Sequence, residues 1–222
     1  MNFYKHGMIF ATFLGSCLCI GLLAAALGTK YWTTSSAVNL KSPKSDGKIH
    51  FGLFNGEKNL NVGIGWRAQR FEVPKDVEGM MYAAWLGTVV CMGLGILFSA
   101  TAAIFAVINT ASTPISFLTG ISGLYIWNCL AITFQGSALG LWLLQYYKRL
   151  RYNVMSAEDK TDFSWTSEGK TDFGFSFWLV VAAVIVQFVN IIFIFSGTKE
   201  MRLKKNVKPI IEEKGNGAIM LY

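Results

Sequence analysis

Three long stretches of the chain contain no Asp, Glu, Lys, Arg or His. They cover residues 7–29, 79–147 and 173–198. A helix needs ~20 consecutive apolar residues to cross the hydrocarbon core of a bilayer. The middle stretch is long enough for two such helices, with a polar, proline-containing turn at residues 109–116. The pattern therefore predicts four spans with both termini on one side, at about 7–29, 80–108, 117–147 and 174–197.

A cleavable signal peptide is the rival interpretation of the first stretch. Lys5 places a positive charge before it, and Ala24, Ala25 and Ala26 resemble a small-residue cleavage site. The apolar region of a signal peptide is typically ~7–15 residues long, which is much shorter than this stretch. We therefore interpret residues 7–29 as a membrane span.

The longest polar segment, residues 30–78, lies between the first two spans. Apolar residues alternate with small or polar ones in two parts of it, around Ile49, Phe51 and Leu53 and again around Phe71 and Val73. Alternation with Gly and Asn between the two parts predicts a small antiparallel sheet, which Pro74 ends. Because two or three strands alone are only marginally stable, we expect the sheet to rest on the helix ends.

The remaining polar segments are a second loop at residues 148–172 and a basic tail at residues 199–222. The predicted fold is an all-α membrane protein, a four-helix transmembrane bundle with a small antiparallel sheet in the first loop. Tyr31 and Trp32 follow the first span directly, a position typical of interfacial aromatic anchors. Three carboxylates of the second loop stand among basic residues and are interpreted as solvated: Asp159, Asp162 and Asp172.

Composition agrees with a membrane protein. Hydrophobic residues make up 53% of the chain and charged residues only 15%, against about a quarter in ordinary globular domains. All four cysteines lie in predicted spans, so no disulfide can hold a loop: Cys17, Cys19, Cys91 and Cys129. The net charge of +7 is spread over the loops of a membrane protein, so nucleic acid is not a predicted partner.

Ionisable side chains deep in a span usually mark transport or proton relays, and these spans have none. Their strongly polar side chains are the amides Asn128, Gln135, Gln187 and Asn190. We interpret these amides as interhelical hydrogen-bonding groups, with a polar ion or substrate path as the alternative. No catalytic, cofactor or metal motif is recognisable, so we predict neither an enzyme nor a bound cofactor.

Small residues predict where the helices pack closely. Four of them recur every four residues in the second span, at Gly87, Cys91, Gly95 and Ser99. Gly136 and Gly140 form a GxxxG pattern in the third span. Both patterns allow two backbones to approach closely. The sequence leaves open whether they pack within one chain or between copies, so a homo-oligomer is an alternative.

The tail begins with a basic cluster formed by Lys199, Arg202, Lys204 and Lys205. Such a cluster favours a cytoplasmic tail and contact with anionic lipids. Basic residues at the start of the second loop argue for the opposite orientation: Lys148, Arg149 and Arg151. The last residues, Met220, Leu221 and Tyr222, can add as a strand to the sheet edge of a PDZ scaffold domain.

Short motifs in sequence order resemble a known family. Trp32 followed by Gly52-Leu53-Phe54 resembles the Trp and Gly-Leu-Trp of the claudin-like tetraspans, with Phe in place of the second Trp and without their Cys pair. The clarins are more similar, because they have Gly-Leu-Phe there and continue with a residue pair like Gly56-Glu57. Their third and fourth spans begin with residues similar to Gly123, Tyr125, Trp127 and Asn128, and to Ser176, Phe177 and Trp178. Leu221-Tyr222 also resembles their terminus.

Two departures separate this chain from the clarin pattern. Val62 stands where some clarins have Cys, and no Asn-x-Ser/Thr glycosylation site is present. The resemblance implies an extracellular first loop, cytoplasmic termini and a non-catalytic plasma-membrane protein. It further implies a role in actin-linked membrane organisation of sensory cells, in hair-bundle or synapse maintenance. An auxiliary subunit of an ion channel or transporter would share the same plan and is the alternative.

Overall fold

The computed structural model describes residues 3–216, except residues 43–44, 64, 78 and 113–115. The helices in this part of the chain are α1 (Phe3–Gly28), α2 (Tyr82–Ala111), α3 (Ile121–Gln145), the short α4 (Ala157–Thr161) and α5 (Phe175–Asn216). A π-helical turn, Tyr146–Leu150, continues α3. Each of the four long helices contains a segment that is long and apolar enough to cross a membrane.

The four long helices form a closed bundle. Both α1 and α3 pack against α2 and α5. Large apolar side chains such as those of Leu97, Ile104 and Phe188 point outward and are more than half exposed. An apolar belt of this kind is matched to hydrocarbon, where the helices satisfy their backbone hydrogen bonds internally. The chain is a multi-pass membrane protein.

A six-stranded antiparallel sheet covers one end of the bundle, with four strands from the segment between α1 and α2 and two from the segment between α4 and α5. Its strands are β1 (Thr33–Asn39), β2 (Asp46–Phe51), β3 (Asn55–Asn61), β4 (Trp66–Glu72), β5 (Trp165–Thr166) and β6 (Thr171–Phe173). The first four form a meander in the order β4-β3-β2-β1, and β5 and β6 pair with the other edge of β1. The helices and the sheet confirm the predicted fold class.

The sheet is larger than the alternating pattern predicts. The alternation identifies β2 and the end of β4, whereas β1 and β3 consist mainly of Thr, Ser, Asn and charged residues. The second loop supplies β5 and β6, although its sequence predicts only a polar loop. Strand formation here depends on pairing between distant segments more than on local propensity.

The buried core is unequal at the two ends of the bundle. We call the end under the sheet the sheet end, and the opposite end, from which the basic tail leaves, the tail end. The larger core joins the sheet to the helices and includes Trp32, Phe51 and Trp142. Among the residues whose burial the structure describes, the smaller core at the tail end consists of Ile9, Ala106, Leu124 and Ile194.

Candidate functional site

Trp32 connects the sheet to the bundle. Its side chain is fully buried, its indole N–H donates to the carbonyl of Ala26 in α1 (2.7 Å), and its ring meets Trp142 of α3 edge-on with centroids 5.1 Å apart. Its backbone N–H donates to Phe51 of β2 (2.9 Å) and its carbonyl accepts from Gly174 (3.0 Å). The prediction of an interfacial anchor is therefore wrong for Trp32, which packs inside the protein.

The Gly52-Leu53-Phe54 segment turns the chain at the base of the sheet. A Cβ on Gly52 would collide with the backbone carbonyl of Thr29, so only glycine allows the turn to lie against the end of α1. Leu53 is fully buried, and its carbonyl accepts a hydrogen bond from the indole of Trp85 in α2 (2.6 Å). Phe54 is 43% exposed. The segment therefore attaches the sheet to two helices.

Gly56 makes room for an aromatic ring across the sheet. It pairs with Phe51 of β2 on one side and with Phe71 of β4 on the other. A Cβ at this position would overlap the ring of Phe71 and lie 2.6 Å from the Cβ of Phe51. Without it, the two rings approach across the sheet to a centroid distance of 6.1 Å. The next residue, Glu57, pairs with His50.

The two polar loops form one structure. The hydroxyls of Ser35 in β1 and Thr171 in β6 are hydrogen-bonded (2.9 Å), and the Tyr146 hydroxyl donates to the Thr171 carbonyl (2.6 Å). Lys58 of β3 forms an ion pair with Asp159 of α4, and their side chains are only 12% and 10% exposed. The prediction that Asp159 is solvated is therefore wrong, because it neutralises a lysine of the first loop.

The end of the sheet farthest from the bundle presents four large apolar side chains. They are Leu40 (70% exposed), Trp66 (59%), Phe163 (53%) and Val62 (47%), and we call them the apolar tip. The register places the end of β1, the end of β3 and the start of β4 together there. A hydrogen bond from the Leu40 N–H to the Ser164 carbonyl (2.9 Å) holds the second loop beside them.

Buried amides link the helices in pairs, in agreement with the hydrogen-bonding interpretation of these residues. Each pair joins a different two helices, so the bonds fix the order of packing around the bundle. The pairs are Gln187 with Asn128 (α5 to α3, 3.1 Å), Gln135 with Ser99 (α3 to α2, 3.1 Å) and Asn190 with Ser16 (α5 to α1, 3.3 Å).

Comparison with known proteins places this architecture in a family. A model of the Clarin-2-like family matches residues 4–194. The chain belongs to the clarin family. It is 26% identical to Clarin-3 of Homo sapiens over 211 residues, which cover 90% of each chain. It is also 26% identical to Clarin-3 of Mus musculus over 216 residues, which cover 94% of each.

The clarin-like segment of α3 packs at the tail end. A Cβ on Gly123 would collide with the carbonyl of Leu118, so glycine allows the loop to close over the start of α3. The Trp127 indole donates to that same carbonyl (3.2 Å), and the Tyr125 hydroxyl meets the Thr198 hydroxyl of α5 (3.3 Å). These clarin-like residues therefore fasten the α2–α3 connection and tie α3 to α5.

The clarin-like segment at the start of α5 packs at the sheet end. The hydroxyls of Ser176 and Thr29 are hydrogen-bonded (2.7 Å), which ties the start of α5 to the end of α1. Phe177 is buried and stacks on Phe173 of β6 with centroids 4.5 Å apart. Trp178 is 58% exposed and faces outward.

The two small-residue patterns have different surroundings. Cβ atoms built on Gly87 and Gly95 would lie 2.8 Å and 3.0 Å from α3 side chains, so this face of α2 packs within the chain. A Cβ on Gly136 or Gly140 meets nothing within 4 Å, so in the described part of the chain no helix packs closely against the GxxxG face of α3.

No group of His, Cys, Asp and Glu side chains in the described ranges could hold a metal ion. The basic residues predicted to contact anionic lipid lie in α5, which continues to Asn216. They are Lys199, Arg202, Lys204 and Lys205. The predicted PDZ ligand, residues 220–222, lies outside the described residues.

The sequence did not reveal the apolar tip or the Lys58–Asp159 pair. Each tip residue is an isolated apolar residue in a polar segment, and only the sheet register brings the four together.

Proposed function

We propose that this protein is a non-catalytic plasma-membrane tetraspan with cytoplasmic termini, which organises a membrane domain by binding other proteins through its outer sheet. Membership of the clarin family supports the tetraspan part of this proposal. The apolar tip is the observation that carries the binding part. Leu40, Val62, Trp66 and Phe163 are exposed on a polar sheet, away from the bilayer and from the core. Large exposed apolar groups with a polar rim are typical of protein interaction sites.

The tip is attached to a pre-organised support. Hydrogen bonds at Trp32 and Leu53 attach the sheet to the helices, and the Lys58–Asp159 ion pair ties the two loops to each other. A partner therefore does not have to order the loops when it binds, which lowers the entropic cost of association. Aromatic anchors such as Trp66 contribute the largest shares of binding energy in interfaces of this kind.

The membrane interior supports an organiser more than a pore. The spans lack ionisable residues, and the amides Asn128 and Gln187 hydrogen-bond to each other across the bundle. A transport path usually requires charged or water-facing polar groups at this depth. Ion flux through the purified protein in liposomes that is altered by Asn128→Leu would overturn this part of the proposal.

Cross-linking and mass spectrometry from native membranes test the organiser role. The full chain is compared with a Trp66→Ser, Phe163→Ser double variant, and Phe54→Ser serves as the control because Phe54 is an exposed aromatic at the opposite end of the sheet. We expect the double variant to lose extracellular protein partners that the control keeps. Retention of the same partners by all three proteins would contradict the proposal. A single stoichiometric channel or transporter partner would instead identify an auxiliary subunit.

The cytoplasmic part of the proposal concerns the C-terminus. We propose that Met220-Leu221-Tyr222 binds a PDZ scaffold and links the protein to actin at specialised membranes of sensory cells, where it maintains hair bundles or synapses. Deletion of these three residues is expected to remove the scaffold partner and to disperse the protein from its membrane domain. Unchanged partners and localisation would rule out the PDZ link. An epitope tag in the first loop, residues 30–78, detected on intact cells, tests the orientation.

A further inference from the structure

An open groove of about 580 Å³ lies between α3 and α5 at the tail end. Its apolar lining residues are Phe117, Ile121 and Phe195. Phe117 and Phe195 are 68% and 59% exposed, so their rings border the groove and remain accessible from the bilayer. Because the groove belongs to a membrane-spanning segment, lipid chains are in continuous contact with it.

The remaining lining residues of the groove are polar. They are the hydroxyl residues Ser122, Tyr125 and Thr198 and also Lys199, the first residue after the third charge-free stretch. The Tyr125 and Thr198 hydroxyls are 3.3 Å apart, so a hydrogen bond joins the two helices at the groove. The groove thus offers hydroxyl groups and the ammonium of Lys199 beside apolar residues.

We propose that this groove binds one anionic phospholipid. The acyl chain would lie against Phe117, Ile121 and Phe195, and the headgroup would contact the hydroxyls and the ammonium of Lys199. Hydroxyls and a lysine are suitable donors for phosphate oxygens. The sequence from Lys199 to Lys205 contains four basic residues and one acidic residue, so the local charge favours an anionic headgroup.

The positive charge of Lys199 argues against a sterol as the occupant. A sterol could contact the apolar lining residues, but it has a single hydroxyl and no charge with which to engage Lys199. With a cytoplasmic tail, the groove faces the inner leaflet, where anionic lipids are concentrated. Only this choice of leaflet rests on the proposed function. The binding chemistry itself is independent of the orientation and of any protein partner.

Native mass spectrometry of the full chain released from nanodiscs tests the proposal, with equal amounts of phosphatidylcholine and phosphatidylserine as the probes. We expect the wild type to retain one phosphatidylserine in preference to phosphatidylcholine. Lys199→Gln should reduce that preference about five-fold, the equivalent of one basic contact. Ser122→Trp places a large ring at an exposed position of the groove, and it should therefore displace the lipid.

The matched control is Ile108→Trp, which adds the same ring at an exposed position of α2 at the same end of the bundle. It should leave lipid retention unchanged. Equal retention of both lipids by the wild type would overturn the proposal, as would unaltered retention in Ser122→Trp. Adding cholesterol tests the sterol, and its displacement of phosphatidylserine would also overturn the proposal. Because the measurement contains no partner protein, lipid retention can succeed or fail independently of the organiser role.

Discussion

The two ends of the bundle are built differently. At the sheet end, Trp32, Leu53 and Phe177 are buried where helices and strands meet, and glycines allow the backbone segments to touch. At the tail end, the buried core is small and α3 and α5 separate enough to leave a groove. The difference indicates that the sheet end is shaped to hold one structure, whereas the tail end leaves an open groove.

We propose that each end has a separate task, protein recognition at the sheet end and lipid binding at the tail end. Dense packing of distant segments favours a unique arrangement, as a surface for protein recognition requires. The groove needs a less unique arrangement for the proposed phospholipid, because an acyl chain is flexible. Substitutions that break the contrast should therefore have unequal effects at the two ends.

The largest effect is expected for Trp32→Ala. Removal of a fully buried indole from the junction should lower the free energy of unfolding by about 3–5 kcal/mol. Trp178→Ala is the matched control, since that side chain is 58% exposed and its loss should change little. Unfolding of both variants in bicelles can be measured by titration with a denaturing detergent. Similar losses in the two variants would mean that the junction is not specially packed.

The next effect concerns the link between the loops. Asp159→Ala leaves the Lys58 ammonium without its partner at a site where both side chains are nearly buried. We expect a loss of about 1.5–3 kcal/mol, the usual range for a hydrogen bond to a charged group. Glu158→Ala, at the exposed neighbouring residue, is the control. Faster amide hydrogen exchange of β5 in Asp159→Ala alone would locate the effect, and equal exchange in the two variants would contradict the link.

A smaller effect is expected inside the membrane. A double-mutant cycle with Asn128→Leu and Gln187→Leu should give a coupling energy of ~0.6 kcal/mol and no more than ~1.7 kcal/mol. The two amides are hydrogen-bonded at 3.1 Å and fully buried, so their interaction is direct. A coupling energy near zero would show that the amides act separately, and would reopen the alternative of a polar path.

The smallest effect is the pH dependence of the sheet. Burial lowers the pKa of His50 below its usual 6.5, Glu57 opposes this shift and Lys30 adds to it. Below pH 6.5 the unfolded chain therefore binds more protons at this residue than the folded chain does, and stability falls as the pH falls towards the lowered pKa. His50→Phe keeps a ring to stack on Tyr31, which lies 4.5 Å from the His50 ring. Thermal unfolding at pH 5 and pH 7.5 should differ less in the variant, and an equal difference would rule out His50 as the cause.

The sequence predicts the parts of this molecule that depend on local composition. The absence of charge identifies the four spans, and alternation identifies β2 because Ile49 and Phe51 are buried on one face. The sequence does not predict β1, whose Thr-Thr-Ser-Ser start has no apolar alternation. Its strand state depends on pairing with β2, β5 and β6, two of which come from the other loop.

The site is less predictable than the fold for a related reason. The family resemblance identified Trp32 and Gly52 as important but not their role, since burial at the junction is set by helices that lie far away in the chain. The sequence predicts that Asp159 is solvated, because it shows only the residues next to Asp159 in the chain. Its partner Lys58 is 101 residues away. The apolar tip also depends on the tertiary fold, which brings residues from three separate connections to one end of the sheet.

Photo-cross-linking from the two ends of one protein tests the account most directly. A photoreactive phenylalanine analogue replaces either Trp66 at the apolar tip or Phe195 in the groove, and the full chain is irradiated in its native membrane. We expect protein adducts from position 66 and phospholipid adducts from position 195. Lipid adducts alone from position 66, or a protein partner covering position 195, would contradict the division of tasks between the sheet end and the tail end.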